Sequence, residues 1–235
     1  MKHRNLALFM AALFACFGQT IKAEDGLSEI FEVIDTADKA KLVGIYETWK
    51  NSAEETAPLI AGIALHNLAM NDPVQYAALA VDMLAKYKGS KYASIALAYR
   101  GSAVTLIASA FSKKGNMISA STKLTEGFAL IDSAVKKDPG NMVIRILRME
   151  NGMAITETTP FNRSKEVQED LDFLASRLNS LSPEGRSQYY LNLGRLRLFQ
   201  KKAKEAMSAL NQAVKEAPDS SHAKQAKAIL AKLED

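Results

Sequence analysis

The sequence predicts an all-α protein, and three observations carry that expectation. Apolar residues recur at helical spacing almost throughout from Leu27 onward, with no sustained two-residue alternation of the kind a half-buried strand shows. Caps and stops such as Asp72-Pro73, Lys113-Lys114-Gly115-Asn116 and Ser182-Pro183-Glu184 punctuate the chain at short intervals. Small residues recur inside the apolar helices, where two backbones could approach closely. With 48% apolar residues in 235, the chain can bury a substantial core, or a series of small ones, without disulfides. Residues 24–235 read as a single domain of paired helices.

Residues 1–23 read as a secretory signal rather than as part of that domain. Lys2, His3 and Arg4 precede an apolar run from Leu6 to Phe17, and Ala23 offers a small residue for cleavage. The run is apolar on every face and falls short of the roughly 20 residues that a spanning helix needs. The expected location is therefore the periplasm or the exterior. Leu13-Phe14-Ala15-Cys16 opens an alternative, because it is similar to the lipobox at which bacterial lipoproteins are anchored through Cys16. Cleavage after Ala23 removes the only cysteine, which excludes disulfides and thiolate chemistry from the remainder. It also removes Lys2, Arg4 and Lys22, leaving 27 basic side chains of the original 30 against 26 acidic ones. The pI of about 9.0 therefore gives no ground for nucleic-acid binding.

Taken in order, a short helix near Leu27–Ile34 leads into one over Ala37–Lys50, where Leu42, Ile45 and Trp49 share a face. Ser52-Ala53-Glu54-Glu55 matches a capping box and predicts a helix from there to Asn71. Asp72-Pro73 starts the next, with Ala77, Val81 and Leu84 on one face and Gly89 beyond its end. His66, with no ligand or acid–base partner at helical spacing, reads as a packed or groove-facing histidine, and His222 as solvent-exposed. Long helices follow over 91–111 and 117–137, closed by the turn Asp138-Pro139-Gly140-Asn141. Over 142–156, Arg145, Arg148 and Asn151 fall at three-residue steps beside Ile144, Leu147 and Met153. Ser164 caps a helix through Val167, Leu171, Leu174 and Leu178. Two helices follow over 187–218, and Ala226, Ile229, Leu230 and Leu233 stripe a last one that suits the capping end of a stack.

The stretch 187–218 resembles a tetratricopeptide repeat through Tyr190, Leu193, Gly194, Ala206, Leu210, Ala213 and Pro218, although Arg197 stands where that family usually has Tyr. Gly127, Ile131, Ala134 and Pro139 carry the same signature, and 53–88 resembles a degenerate copy. The whole of 91–180 is loosely similar to a group of uncharacterised exported bacterial proteins, through ALAYRGSAVTLIASAF, GFALIDSAVKKDPGNMVIRILR and Pro160-Phe161-Asn162-Arg163. These resemblances imply antiparallel helix pairs stacked as a TPR-like α-solenoid, with a concave groove that binds a protein or peptide. The carboxylate clamp of some family members is broken here, because Leu191 and Arg195 occupy its positions. Gln188, Asn192, Arg195 and Phe199, with Arg145, Arg148 and Asn151, are the candidate groove residues.

No Gly-rich phosphate loop, His-Glu-x-x-His, Gly-x-Ser-x-Gly elbow or dinucleotide fingerprint is present, so no catalytic, cofactor or metal residue is assigned. The expected function is an exported binding adaptor. The alternative is a small-molecule accessory of a solute transporter, or an enzyme of unrecognised type, with a ligand enclosed between the long helices of 91–137.

Overall fold

The structure, a computed structural model, describes residues 30, 33 and 38–234. The signal segment, the Cys16 alternative and the cleavage point after Ala23 lie outside the described residues, as does most of the short helix near Leu27–Ile34. The described residues are all-helical, with no strand among them. They divide into two compact units, and the boundary falls between Leu147 and Arg148.

In the N-terminal unit the helices are α1 (Lys39–Trp49), α2 (Ala57–Asn71), α3 (Pro73–Ala85), α4 (Ala93–Lys113) and α5 (Met117–Lys137). Asp38 caps α1 by accepting from Lys41 N at 2.7 Å, and Asp72 caps α3 by accepting from Gln75 N at 3.2 Å. The capping box at Ser52 does not start a helix: Ser52 Oγ accepts from Glu54 N in a turn, and α2 begins only at Ala57. Pro58 accounts for this, since its fixed φ suits a first turn and it has no amide to donate. Nearly every side chain of α2 is buried, because the helix is apolar all round and packs against α1, α3 and α4. Among the described helices only α4 is long and apolar enough to cross a bilayer; it is largely buried against α2, α3 and α5.

Glycine sets how closely these helices cross. A Cβ on Gly62 would lie 2.6 Å from Leu84 Cγ, and one on Gly101 would lie 2.8 Å from both the Gly127 carbonyl oxygen and Ile131 Cγ1. The turn after α4 places Gly115 at φ +78°, with Gly115 N donating to Ser112 O and Asn116 N to Phe111 O. That pair of bonds is a Schellman end, which favours glycine at its left-handed position.

Helix α6 (Met142–Thr158) spans the boundary and supplies Arg148 onward to the C-terminal unit, with α7 (Ser164–Ala175), α8 (Pro183–Phe199), α9 (Ala203–Glu216) and α10 (Ser221–Glu234). Ser182 caps α8 by accepting from Gly185 N at 3.1 Å. A Cβ on Gly194 would lie 2.7 Å from Leu210 Cγ and 3.3 Å from the Ala206 carbonyl oxygen, so α8 and α9 cross as α4 and α5 do. Leu191, Leu210, Ala213 and Ala226 form one buried cluster, against which Tyr190, Ile229 and Leu230 pack. The departure at Arg197 has a structural use: it donates to Gln168 Oε1 at 2.8 Å and pairs with Glu205 at 2.9 Å, tying α8 to α7 and to the start of α9. His222 is fully buried rather than exposed, because Ala223 and Ala226 carry the same face of α10 inward.

Candidate functional site

The candidate groove residues of α8 form a buried polar layer. Gln188, Asn192 and Arg195 share one face, as their spacing predicts, but that face packs against α6 instead of lining open space. Gln188 Nε2 donates to Glu150 Oε1 at 2.8 Å, and Asn192 Nδ2 donates to the same oxygen at 3.2 Å. Asn192 Oδ1 accepts from Arg195 Nη1 at 3.0 Å. Arg195 then closes a two-point ion pair with Glu157, Nε donating to Oε1 at 3.0 Å and Nη2 to Oε2. This chain of donors and acceptors joins two helices through side chains that water would otherwise hold, so the layer fixes their register. Phe199, at the end of α8, is the member of the set that stays exposed, at 43%.

Glu150 sits at the centre of the layer and is fully buried. Burial pushes its carboxyl up to about 7, and the Gln188 donor, the Arg195 charge and the Asn192 donor offset only part of that. Glu150 Oε2 and Gln188 Oε1 are buried acceptors with no donor among the described residues. A proton on Glu150 would itself supply one.

The remaining candidates separate. Arg148 is buried and bidentate on Asp170, Nε donating to Oδ2 and Nη2 to Oδ1, each at 2.7 Å, with a third bond to Glu169 at 3.2 Å. It joins α6 to α7 rather than facing a groove. Arg145 turns back on the preceding turn and donates from Nε to the Pro139 carbonyl at 3.0 Å. Asn151 is half-buried. The polar strip read over these three positions is thus not one surface. Glu150, Glu157 and Asp170 were missed as site residues, yet a signal was present for two of them: Glu150 falls on the Leu147–Met153–Ala154 stripe and Asp170 on the Val167–Leu171–Leu174 stripe. A carboxylate at a core position of an amphipathic helix implies a buried partner.

The N-terminal unit holds a second buried polar group. His66 Nε2 meets Ser102 Oγ at 2.9 Å, His66 Nδ1 meets Asn67 Oδ1 at 3.0 Å, and Asn67 Nδ2 donates to the Val33 carbonyl at 2.9 Å. The imidazole also stands edge-on to Tyr99 at 5.1 Å. Burial lowers His66 to about 4, against a smaller opposing effect of Asn67, so the ring is neutral at pH 7. A hydroxyl, an imidazole and a side-chain amide in series are the parts of a nucleophilic triad. Here, however, Ser102 is 3% exposed in the middle of α4, and no substrate carbonyl can reach its Oγ. The group ties α2 to α4 and to residue 33.

Between α4 and α5, where a ligand was considered, the backbones touch at Gly101 and Gly127. Among the described residues no three His, Cys, Asp or Glu side chains gather as a metal ion requires. Comparison with protein-family models, with curated proteins and with solved structures gives no match to this chain.

Proposed function

We propose that the chain is a tetratricopeptide-like helical-repeat protein that acts after export by binding a protein or extended peptide. The observation that carries this reading is the crossing shared by two helix pairs. In each, a first-helix glycine meets the carbonyl of one second-helix residue and the side chain four residues later: Gly101 with Gly127 and Ile131, and Gly194 with Ala206 and Leu210. A proline follows at the same remove, Pro139 in one case and Pro218 in the other. Gly62 against Leu84 is a third, looser example. Recurrence of one packing unit is the defining property of a repeat array, and such arrays work mainly as binding surfaces.

Burial of Gln188, Asn192, Arg195 and Arg148 moves the expected contact away from that layer. Phe199 is the candidate left in water, and exposed aromatic side chains commonly anchor an interface. Affinity capture from cell-envelope extract, using the exported protein and a Phe199→Asp variant of unchanged circular dichroism, tests the assignment. The wild type should retain a partner that the variant loses. Retention of the same set by both proteins, or of nothing by either, would overturn it. The intact mass of the same preparation distinguishes a chain starting at Glu24 from one carrying lipid on Cys16.

A further inference from the structure

We propose that the tip of the α4–α5 hairpin docks the protein on an anionic lipid surface, with Met117 and Ile118 entering the interface and Lys113 and Lys114 against the headgroups. The α4–α5 hairpin reaches further past its crossing than α8–α9 does. Past the shared crossing, α8 continues only from Gly194 to Phe199, and α9 begins at Ala203, three residues before Ala206. In the other pair α4 continues from Gly101 to Lys113, and α5 begins at Met117, ten residues before Gly127. Each helix is thus seven residues longer beyond the crossing, about two turns, or roughly 10 Å of rise. Burial follows that extension. Residues 101–106 are all buried, 109–112 are half-buried, and 113–118 are all exposed.

The two most exposed large apolar side chains among the described residues lie at this tip, Ile118 at 84% and Met117 at 60%. They are not carried on a slack loop. The Schellman bonds at Gly115 and Asn116, and Asn116 Oδ1 accepting from Ser119 N at 3.1 Å, fix the turn. Lys113 and Lys114 beside them are exposed and have no carboxylate partner among the described residues. Between Asp82 and Glu126 the sequence holds seven basic residues and no acidic one, and Glu126 is itself engaged by Lys123 at 2.6 Å. A lysine at the C-terminus of α4 suits the helix dipole, but the dipole gives no reason for Ile118 to face water.

The occupant follows from size and charge. Two apolar side chains are far too small a patch for a stable protein interface, which needs about 800 Å² per partner. A two-fold contact between copies would set the lysines against each other. A shallow apolar tip flanked by cations matches the interface of an anionic bilayer, where apolar burial and lysine–headgroup attraction add.

Co-sedimentation of the exported protein with vesicles of phosphatidylglycerol and phosphatidylcholine, against phosphatidylcholine alone, tests the proposal. Wild type should partition to the anionic vesicles and be released by salt. Met117→Ser/Ile118→Ser should partition at least about ten-fold less. Lys113→Gln/Lys114→Gln should partition about thirty-fold less. Lys136→Gln/Lys137→Gln, at the other end of α5, should behave as wild type. All four proteins share one N-terminus, so attachment through residues 1–23 would retain them equally and overturn the proposal. Equal binding to neutral vesicles, or no binding at all, would overturn it too. Loss of self-association in the Ile118 variant without any vesicle binding would assign the tip to a protein contact instead.

Discussion

Gly101 and Gly127 hold each other's backbones at contact: a Cβ on Gly101 would lie 2.8 Å from the Gly127 carbonyl oxygen, and a Cβ on Gly127 would lie 2.7 Å from that of Gly101. These carbonyl oxygens are main-chain atoms, which cannot rotate away as the nearby Ile131 side chain can. Gly101→Ala should therefore destabilise the N-terminal unit by about 1–3 kcal/mol despite alanine's better helix propensity. Gly44, in α1, has nothing within 4 Å of the same position. Gly44→Ala should stabilise by about 0.5–1 kcal/mol. Urea unfolding of both variants checks the opposite signs, and equal signs would remove the crossing from the account.

Two of the buried titratable groups, Glu150 and His66, should pull stability in opposite directions with pH. Glu150, raised from 4.5 to about 7, binds a proton in the folded state that the unfolded state has already lost between those values, so its contribution falls as pH rises through that window. His66, lowered from 6.5 to about 4, is neutral when folded while the unfolded ring is charged, so its contribution falls as pH drops from 6.5 towards 4. Amide exchange, corrected for its intrinsic pH dependence, should show α2 and α4 loosening on acidification while α6 and α8 tighten. Glu150→Gln keeps an acceptor for Gln188 and adds an amide beside Gln188 Oε1. It should match wild type near pH 5 and exceed it at pH 8 by on the order of 2–3 kcal/mol. An unchanged pH profile would mean that Glu150 is ionised in the folded protein at neutral pH.

Local chemistry explains what the sequence disclosed. The ends of α4, α5 and α8 are set by Lys113–Asn116, Asp138–Asn141 and Ser182-Pro183, turn and cap residues that act within a few positions, and the expected bounds lie within a few residues of the observed ones. The capping box at Ser52 failed because Pro58, five residues past the expected first residue Ala53, competes for the first turn. The face shared by Gln188, Asn192 and Arg195 was legible from spacing, whereas its burial was not. Its partners Glu150 and Glu157 each lie 38 residues earlier, beyond any periodic pattern. The same holds for Ser102, which reaches His66 across 36 residues. Periodicity reports which side chains share a face, and only the fold reports what that face meets.

Arg148 and Asp170 form a buried pair in which each charge depends on the other, with side-chain exposures of 8% and 0%. Removing one partner leaves the other charge buried without its principal counter-ion. Asp170→Asn and Arg148→Met should each cost about 3–5 kcal/mol, measured by urea unfolding. Replacing both, as Arg148→Met/Asp170→Leu, should recover much of that loss, because the desolvation cost of two ions disappears with them. Additive losses in the double variant would place the stabilising contact elsewhere, with Glu169 the next candidate for Arg148.

Lys201 repeats the turn of Gly115 without the residue that suits it. Lys201 N donates to Leu198 O at 2.9 Å and Lys202 N to Arg197 O at 2.8 Å, the same two bonds that end α4. Its φ is +61°, where a Cβ crowds the backbone and glycine does not. The side chain is exposed and forms no ion pair among the described residues, so nothing offsets the strain. Lys201→Gly should therefore stabilise the α8–α9 pair by about 1 kcal/mol, whereas Gly115→Lys should weaken the α4–α5 turn by a similar amount. Because both turns sit at the surface, thermal unfolding reads the two effects without disturbing a core. A loss of stability in Lys201→Gly would show that the left-handed residue is held by contacts of its lysine and that the two turns are not equivalent.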